Sequence, residues 1–189
     1  SLVGSEMCIR DRGKTMQLAA AGADVTALDI SEPRMERVAE NLARTGLSAK
    51  LVVGDAMEHE GSYDAILLDA PCSATGTLRR HPDLGFGKTG DELETLVPLQ
   101  AALFDRAVSW LKPGGRLVYC TCSLLPEEGE EQLANALVRN PELTVADVMP
   151  EGADPSWKSE NGGLRLRPDY WSSLGGIDGF FIAMVQKPA

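Results

Sequence analysis

Short apolar runs alternate along this chain with segments of helical periodicity, and an aspartate closes each of the first three runs. The runs span residues 25–28, 50–53 and 63–68. The aspartates are Asp29, Asp55 and Asp69. Strands that alternate with helices form a doubly wound, parallel sheet with helices on both faces. Ligands bind at the carboxyl ends of such strands, so three carboxylates there favour a nucleoside ligand.

Reactive side chains are concentrated just after the third run. Pro71 ends this strand because it has no backbone donor and biases the preceding residue towards an extended shape. The carboxylate of Asp69, the thiol of Cys72 and the hydroxyl of Ser73 are therefore predicted to lie on a stiff turn at the sheet edge. The polar, glycine-rich loop that follows is long, which is typical of functional or disordered segments.

A second pair of thiols, Cys120 and Cys122, closes the apolar run 116–121. Strand alternation places the two on one side unless the strand ends between them, and we expect that it does. Cys120 is then a core residue and Cys122 is accessible. A single cysteine is most often structural, but Cys72 also follows a strand end and also precedes a serine.

Composition narrows the class of protein. The 189 residues suffice for one domain, and the net charge of −10 argues against a surface that coats nucleic acid. No apolar run is long enough to span a bilayer, so we expect no membrane partner. Four cysteines without scaffold spacing indicate a reducing, cytoplasmic setting. Cys120 and Cys122 are too close for the usual zinc pattern, so we expect no metal, and we expect a monomer.

Three motifs together resemble a known family. They are DAPCS at residues 69–73 with GTLRRHPD at 76–83, KPGG through YCTCS at 112–123, and GGIDGFF at 175–181. They are similar to the signatures of the Nop/Sun (RsmB-like) RNA cytosine-C5 methyltransferases, and the similarity runs from about residue 13 to residue 187. The resemblance implies a class I, Rossmann-like methyltransferase domain that depends on S-adenosylmethionine and acts on ribosomal RNA.

The same resemblance assigns roles to the reactive side chains. Cys122 would attack carbon 6 of the cytosine, and Cys72 would assist breakdown of the covalent adduct. Asp69 would hold the edge of the base near ring nitrogen 3. The residues implied in RNA contacts are Arg79, Arg80 and His81.

The cofactor side of the resemblance is incomplete. Residues 13–15 keep only the tail of the family's first glycine-rich loop, with Arg12 where a glycine is expected. Residues 1–12 are predicted to be a non-native or disordered leader, so that the first strand is missing or replaced and 13–189 form an N-terminally truncated catalytic domain. We therefore expect weak or absent binding of S-adenosylmethionine. The residues implied in cofactor contacts are Gly13, Lys14, Asp29, Arg34, Asp55 and Asp69.

Three alternatives stay open at this point. A methyltransferase of the same family could act on transfer RNA, and only assays with each RNA would separate the two. An inactive fragment or a non-catalytic assembly factor would form no covalent complex with RNA. A thiol redox or metal protein would show a Cys120–Cys122 bridge or bound zinc.

Overall fold

A computed structural model of the chain describes residues 5–9, 12–85, 91–147 and 149–189. The strands among them are β1 (Ser5–Ile9), β2 (Asp24–Asp29), β3 (Lys50–Val53), β4 (Tyr63–Asp69), β5 (Leu111–Thr121), β6 (Thr144–Val145), β7 (Leu164–Leu166) and β8 (Phe180–Gln186). The α-helices are α1 (Arg12–Ala20), α2 (Glu32–Thr45), α3 (Glu92–Trp110) and α4 (Glu130–Arg139). Parallel strands in the order β3-β2-β1-β4-β5 are followed by β8, which is antiparallel to β5 and to its other partners, β6 and β7. The predicted α/β fold with a mostly parallel sheet is confirmed.

Helices cover both faces of this sheet. Ala27 and Leu28 are consecutive on β2, so their side chains point to opposite faces. Ala27 packs in a buried cluster with residues of α2, whereas Leu28 belongs to the large cluster that includes residues of α3 and α4. The carboxyl ends of the parallel strands meet at one edge of the sheet, and that edge carries the predicted site residues.

The longest helix, α3, lies against the strands that end at this edge. It runs through Pro98 without ending, and it buries Gln100, Leu103 and Phe104. It contacts β4 and β5, and Gln100 Nε2 donates to the oxygen of Pro71, just beyond the end of β4, at 2.8 Å. Within the described ranges, none of the helices is both long enough and apolar enough to cross a membrane.

The central position of the sheet is filled by β1. This strand pairs in parallel with β2 on one side and with β4 on the other, and its Met7 is completely buried. Of the expectation that the first strand is missing or replaced, the missing strand is therefore wrong, and its replacement by non-native residues is untested. Residues 1–4, 10 and 11 lie outside the described residues, and the non-native origin of residues 1–12 remains a prediction.

The carboxylate of Asp64 ties the start of β1 to its neighbours. Its Oδ2 accepts hydrogen bonds from the backbone nitrogen of Ser5 at 2.8 Å, from the Ser5 hydroxyl at 3.0 Å and from Lys112 Nζ at 2.8 Å. The hydrogen bond from Lys112, followed by those from Ser5, lowers the pKa of Asp64 to about 2. A carboxyl with a lowered pKa stabilises the fold above its ordinary pKa of about 3.9 and loses this contribution as the pH falls towards its folded value.

We expect an Asp64→Asn variant to be less stable than the wild type at pH 7, because its amide cannot accept these bonds as an anion does. The difference should shrink as the pH falls from about 4 towards 2. Urea unfolding at several pH values measures it. Asp24→Asn, at the start of β2, is the matched control and should follow the wild type at each pH. A constant difference for Asp64→Asn would contradict this account of how β1 is anchored.

Elements in the second half of the chain differ in detail from what the sequence predicts. The proline and acids at 126–128 predict a helix that begins at Pro126, but Pro126–Glu128 form a 3₁₀ turn and α4 begins only after Gly129. The sequence predicts an edge strand over 145–149, which is reduced to β6, and residue 148 lies outside the described residues. Residues 150–176 are rich in Gly, Pro and Ser and predict a loop, but they contain β7, which is too short to show a strand pattern and is held by pairing with β8.

Candidate active site

Cys72 and Cys122 meet at the edge of the sheet. Cys72 follows β4, and Cys122 follows β5, which is the parallel neighbour of β4. Their Sγ atoms are 3.5 Å apart, and both side chains are half-buried, so they remain accessible. The sequence separates these thiols by 50 positions, and the parallel pairing of their strands brings them to one place.

Cys120 has a different environment. It is buried within β5, which ends at Thr121, so the predicted strand end between Cys120 and Cys122 is confirmed. Its Sγ lies 3.9 Å from Asp69 Oδ1. The three cysteines whose side chains are described are free thiols, so the Cys120–Cys122 bridge of the redox alternative is not formed. Across the described part of the chain, no group of His, Cys, Asp and Glu side chains is arranged to hold a metal ion.

The contact between the two sulfur atoms affects the ionisation of Cys72. The hydrogen bond with Cys122, together with burial, raises the pKa of Cys72 above its ordinary value. Cys72 therefore keeps its proton at neutral pH and can donate a hydrogen bond towards Cys122. The pair thus offers one protonated thiol beside a second sulfur atom.

Asp69 ends β4 next to this pair. Its Oδ2 forms an ion pair with Lys14 Nζ at 3.1 Å. The exposed fraction of the side chain is 26% for Lys14 and 21% for Asp69. Lys14 Nζ also lies 5.5 Å from the centre of the Phe180 ring. Lys14 and Asp69, predicted to bind the cofactor, are thus brought together at the carboxyl end of β4.

A cavity of about 330 Å³ has Pro71, the residue before Cys72, in its lining. The predicted residues Asp29, Arg34 and Asp55 all line it. Asp29 Oδ1 accepts hydrogen bonds from Arg34 Nη2 and from the backbone nitrogen of Ser31, each at 2.8 Å. The rest of the lining is largely apolar and consists of Leu28, Ile30, Gly54, Ala56, Pro71, Leu99 and Leu103. Gly13 and Lys14 do not line this cavity.

The predicted RNA residues lie on the exposed rim. Arg79, Arg80 and His81 follow the 3₁₀ turn Thr75–Thr77 and are all exposed. Arg80 forms an ion pair with Asp178, with its Nε 2.7 Å from the Asp178 Oδ2. The guanidinium of Arg79 lies over Gly176, where an added Cβ would be 3.0 Å from Arg79 Nη1.

Sequence reasoning missed Glu128. The run that begins at Pro126 indicated acids at the positive end of a helix, but Glu128 is completely buried. Its carboxylate accepts hydrogen bonds from Ser73 and from Gln100. No local pattern marks this role, because both partners are far away in the sequence.

Comparison with known proteins decides the family. The sequence profile of the family described as 16S rRNA methyltransferase RsmB/F matches residues 5–186. The chain belongs to this family. It is 39% identical to ribosomal RNA small subunit methyltransferase B of Vibrio vulnificus and 43% identical to that of Salmonella paratyphi B, over 97% and 96% of the chain. It covers 42% and 41% of those proteins, so the chain spans less than half the length of these curated relatives.

A solved structure of another protein shares this fold. NSun6 from Pyrococcus horikoshii superposes with a TM-score of 0.82 at 28% identity, over 98% of this chain and 48% of that chain. It was solved with SFG, an analogue of S-adenosylmethionine. The family is S-adenosylmethionine-dependent, so the described cavity can be tested against this cofactor.

The cavity of this RsmB/F chain fits the nucleoside part of S-adenosylmethionine. Its volume lies within the range of about 300 to 1,000 Å³ that is usual for small-molecule sites. Apolar walls suit a purine, and carboxylates at strand ends accept hydrogen bonds from ribose hydroxyls. Ile30 and Leu99 are large apolar residues that stay 67% and 42% exposed at this cavity, which is consistent with a ligand that covers them.

Proposed function

We propose that this domain methylates carbon 5 of a cytosine in ribosomal RNA through a covalent adduct with Cys122. The observation that carries the proposal is the 3.5 Å contact between the Sγ atoms of Cys72 and Cys122 at adjacent strand ends. Membership of a family of rRNA methyltransferases supports the RNA substrate.

A thiolate solves the chemical problem of this reaction, because carbon 5 of cytosine is a poor nucleophile. Addition of the Cys122 thiolate to carbon 6 converts the ring into an enamine whose carbon 5 carries electron density. S-adenosylmethionine, when bound, supplies an electrophilic methyl group to that carbon. Loss of the proton from carbon 5 and cleavage of the carbon–sulfur bond then restore the ring and free Cys122.

The environment of Cys72 supports a role beside the nucleophile. Its pKa is raised by the contact with Cys122 and by burial, so it keeps its proton. A protonated thiol is a poor nucleophile, and the family resemblance assigns the attack to Cys122. Cys72 then stabilises the Cys122 sulfur by a hydrogen bond and assists its departure from the adduct.

Asp69 is suited to hold the cytosine. We propose that one of its oxygens faces the edge of the base near ring nitrogen 3, while Lys14 Nζ holds the other at 3.1 Å. Protonation of that nitrogen makes carbon 6 more electrophilic. The proposed reaction needs a thiol and a carboxylate and requires no metal ion.

The exposed arginines are suited to hold the RNA strand. Arg79 and Arg80 on the rim can contact phosphates, and His81 follows them directly. Because Arg80 is paired with Asp178, RNA binding there would replace the Asp178 carboxylate by an RNA phosphate as the partner of Arg80. The target base must leave its stack to reach the thiols. A ribosomal RNA substrate would place the protein in the cytoplasm.

Trapping with RNA that contains 5-fluorocytosine tests this function. Fluorine at carbon 5 cannot leave as a proton does, so the methylated adduct should stay attached to Cys122. We expect a covalent complex on denaturing gels when small-subunit ribosomal RNA and S-adenosylmethionine are both present. The same yield with transfer RNA alone would favour the alternative substrate, and absence of any adduct would refute the proposed reaction.

Cofactor affinity provides a separate measurement. We expect calorimetry to give a Kd for S-adenosylmethionine above the micromolar range, since residues 13–15 keep only the tail of the expected loop. An Asp29→Asn variant should bind about tenfold more weakly still, because it loses charge-assisted hydrogen bonds. Glu36→Gln, on the exposed side of α2, is the control of equal charge. Micromolar binding by the wild type would show that the loop is not needed.

A further inference from the structure

A polar cluster of buried side chains lies beneath the two thiols. Gln100 of α3 and Glu128 of the turn before α4 are both completely buried. The Gln100 Nε2 donates a hydrogen bond to Glu128 Oε1 at 2.9 Å. A buried carboxylate is costly unless donors surround it, so these contacts indicate what holds Glu128 in place.

The cluster forms hydrogen bonds with the residues on both sides of Cys72. Before it, the carbonyl oxygen of Pro71 accepts a hydrogen bond from Gln100 Nε2 at 2.8 Å. After it, the backbone nitrogen of Ser73 donates to Glu128 Oε1 at 2.8 Å, and the Ser73 hydroxyl donates to Oε2 at 2.5 Å. Cys72 therefore projects from a backbone that is fixed at the two neighbouring residues.

The same cluster reaches the segment that carries Cys122. The hydroxyl groups of Ser73 and Ser123 are 3.2 Å apart. The hydroxyl of Thr121 donates to the backbone oxygen of Glu128 at 3.1 Å. Residues on both sides of each thiol thus connect to Glu128 either directly or through one side chain, Gln100 or Ser73.

We propose that the carboxylate of Glu128 is a positioning group that holds Cys72 opposite Cys122. Three donors converge on it, and an ionised carboxylate is purely an acceptor. A glutamine at this position would bring its own N–H donors against them, which mismatches a buried network. Glu128 does not touch the substrate, so its effect on the reaction passes through the placement of Cys72.

Oxidative cross-linking measures this placement without any substrate. Diamide takes two electrons and two protons from a pair of thiols that lie within bonding reach, leaving a disulfide whose geometry is narrow. We expect Glu128→Gln and Gln100→Met to form the Cys72–Cys122 disulfide at least about tenfold more slowly than the wild type, because small misplacements of reacting groups slow reactions strongly. Peptide mapping identifies the bridge.

The exposed neighbour Glu127 gives the matched control. Glu127→Gln removes the same charge from the same turn, and it should cross-link at the wild-type rate. All variants are compared at a temperature where circular dichroism shows them folded. Equal rates for Glu128→Gln, Glu127→Gln and the wild type would overturn the proposal.

A second measurement compares the rates at which the covalent adduct forms and is released. It rests on the proposed function, and it distinguishes failure of the proposed reaction from failure of the positioning role of Glu128. If Cys72 is displaced while Cys122 is not, Glu128→Gln should form the covalent adduct with unmodified RNA at nearly the wild-type rate but release it about tenfold more slowly or worse. Equal slowing of both steps would indicate general structural damage and would contradict positioning. If the wild type forms no adduct while the cross-linking rates still differ, the proposed reaction fails and the positioning role stands.

Discussion

A Cys122→Ser variant is expected to lose covalent capture of 5-fluorocytosine RNA and to methylate RNA about 10,000-fold more slowly or worse. The change replaces one small side chain by another of similar shape, so it leaves the fold in place. It removes the group that forms the carbon–sulfur bond, since a hydroxyl ionises far less readily than a thiol, whose ordinary pKa is about 8.5. Gel analysis of the trapped complex and incorporation of labelled methyl groups into RNA measure the two effects.

Cys72→Ser should accumulate the covalent adduct, whereas Cys122→Ser should not form it. It keeps the attacking thiol but removes the protonated thiol 3.5 Å from it. We expect the adduct with ordinary, unmodified RNA to persist on denaturing gels while product release falls steeply. The two variants are each other's control, because they alter the same atom type on facing loops. Capture by Cys122→Ser together with loss of capture by Cys72→Ser would reverse the assigned roles.

The convergence of these thiols is the part of the site that the sequence predicts best. Cys72 and Cys122 each follow a strand, and the carboxyl ends of parallel strands meet at one edge. The same rule explains why Asp29 and Asp55 line one cavity although 26 positions separate them. Strand ends are recognisable as local sequence patterns, and the parallel topology of the sheet brings those ends to one edge.

The features that the sequence hides depend on distant partners. Strand β1 has no clear apolar pattern, and it is held by ladders with two neighbouring strands and by the hydrogen bonds of Ser5 to Asp64. Glu128 follows a proline like an ordinary helix-start acid, and its burial depends on Ser73 and Gln100, which lie 55 and 28 positions away. Neither role leaves a local signal, so periodicity and spacing do not find them.

We expect Gly76→Ala to destabilise the protein by about 3 kcal/mol and to abolish covalent capture of RNA. A Cβ on Gly76 would lie 2.0 Å from the backbone oxygen of Gly179 and 2.6 Å from its carbonyl carbon. The backbone nitrogen of Gly76 donates to the oxygen of Cys122 at 2.9 Å, and its oxygen accepts from the nitrogen of Gly179 at 2.8 Å. A Cβ on Gly76 would push the backbones of Gly76 and Gly179 apart. Because Gly76 is hydrogen-bonded to Cys122, this shift would displace the segment that carries the nucleophile.

Gly76 and Gly179 belong to separate motifs of the family resemblance. The backbone of Gly179 leaves no room for a Cβ on Gly76, and Leu124 together with Gly76 leaves none on Gly179. Gly54→Ala is the control for stability, since an added Cβ there meets nothing within 4 Å. For a chain of this length, 3 kcal/mol corresponds to a fall in Tm of roughly 6 to 12 °C. Gly76→Ala should show such a fall, while Gly54→Ala should melt within about 2 °C of the wild type. Equal melting of both variants, with RNA capture intact, would mean that the loop can shift away from Gly179 without disturbing Cys122.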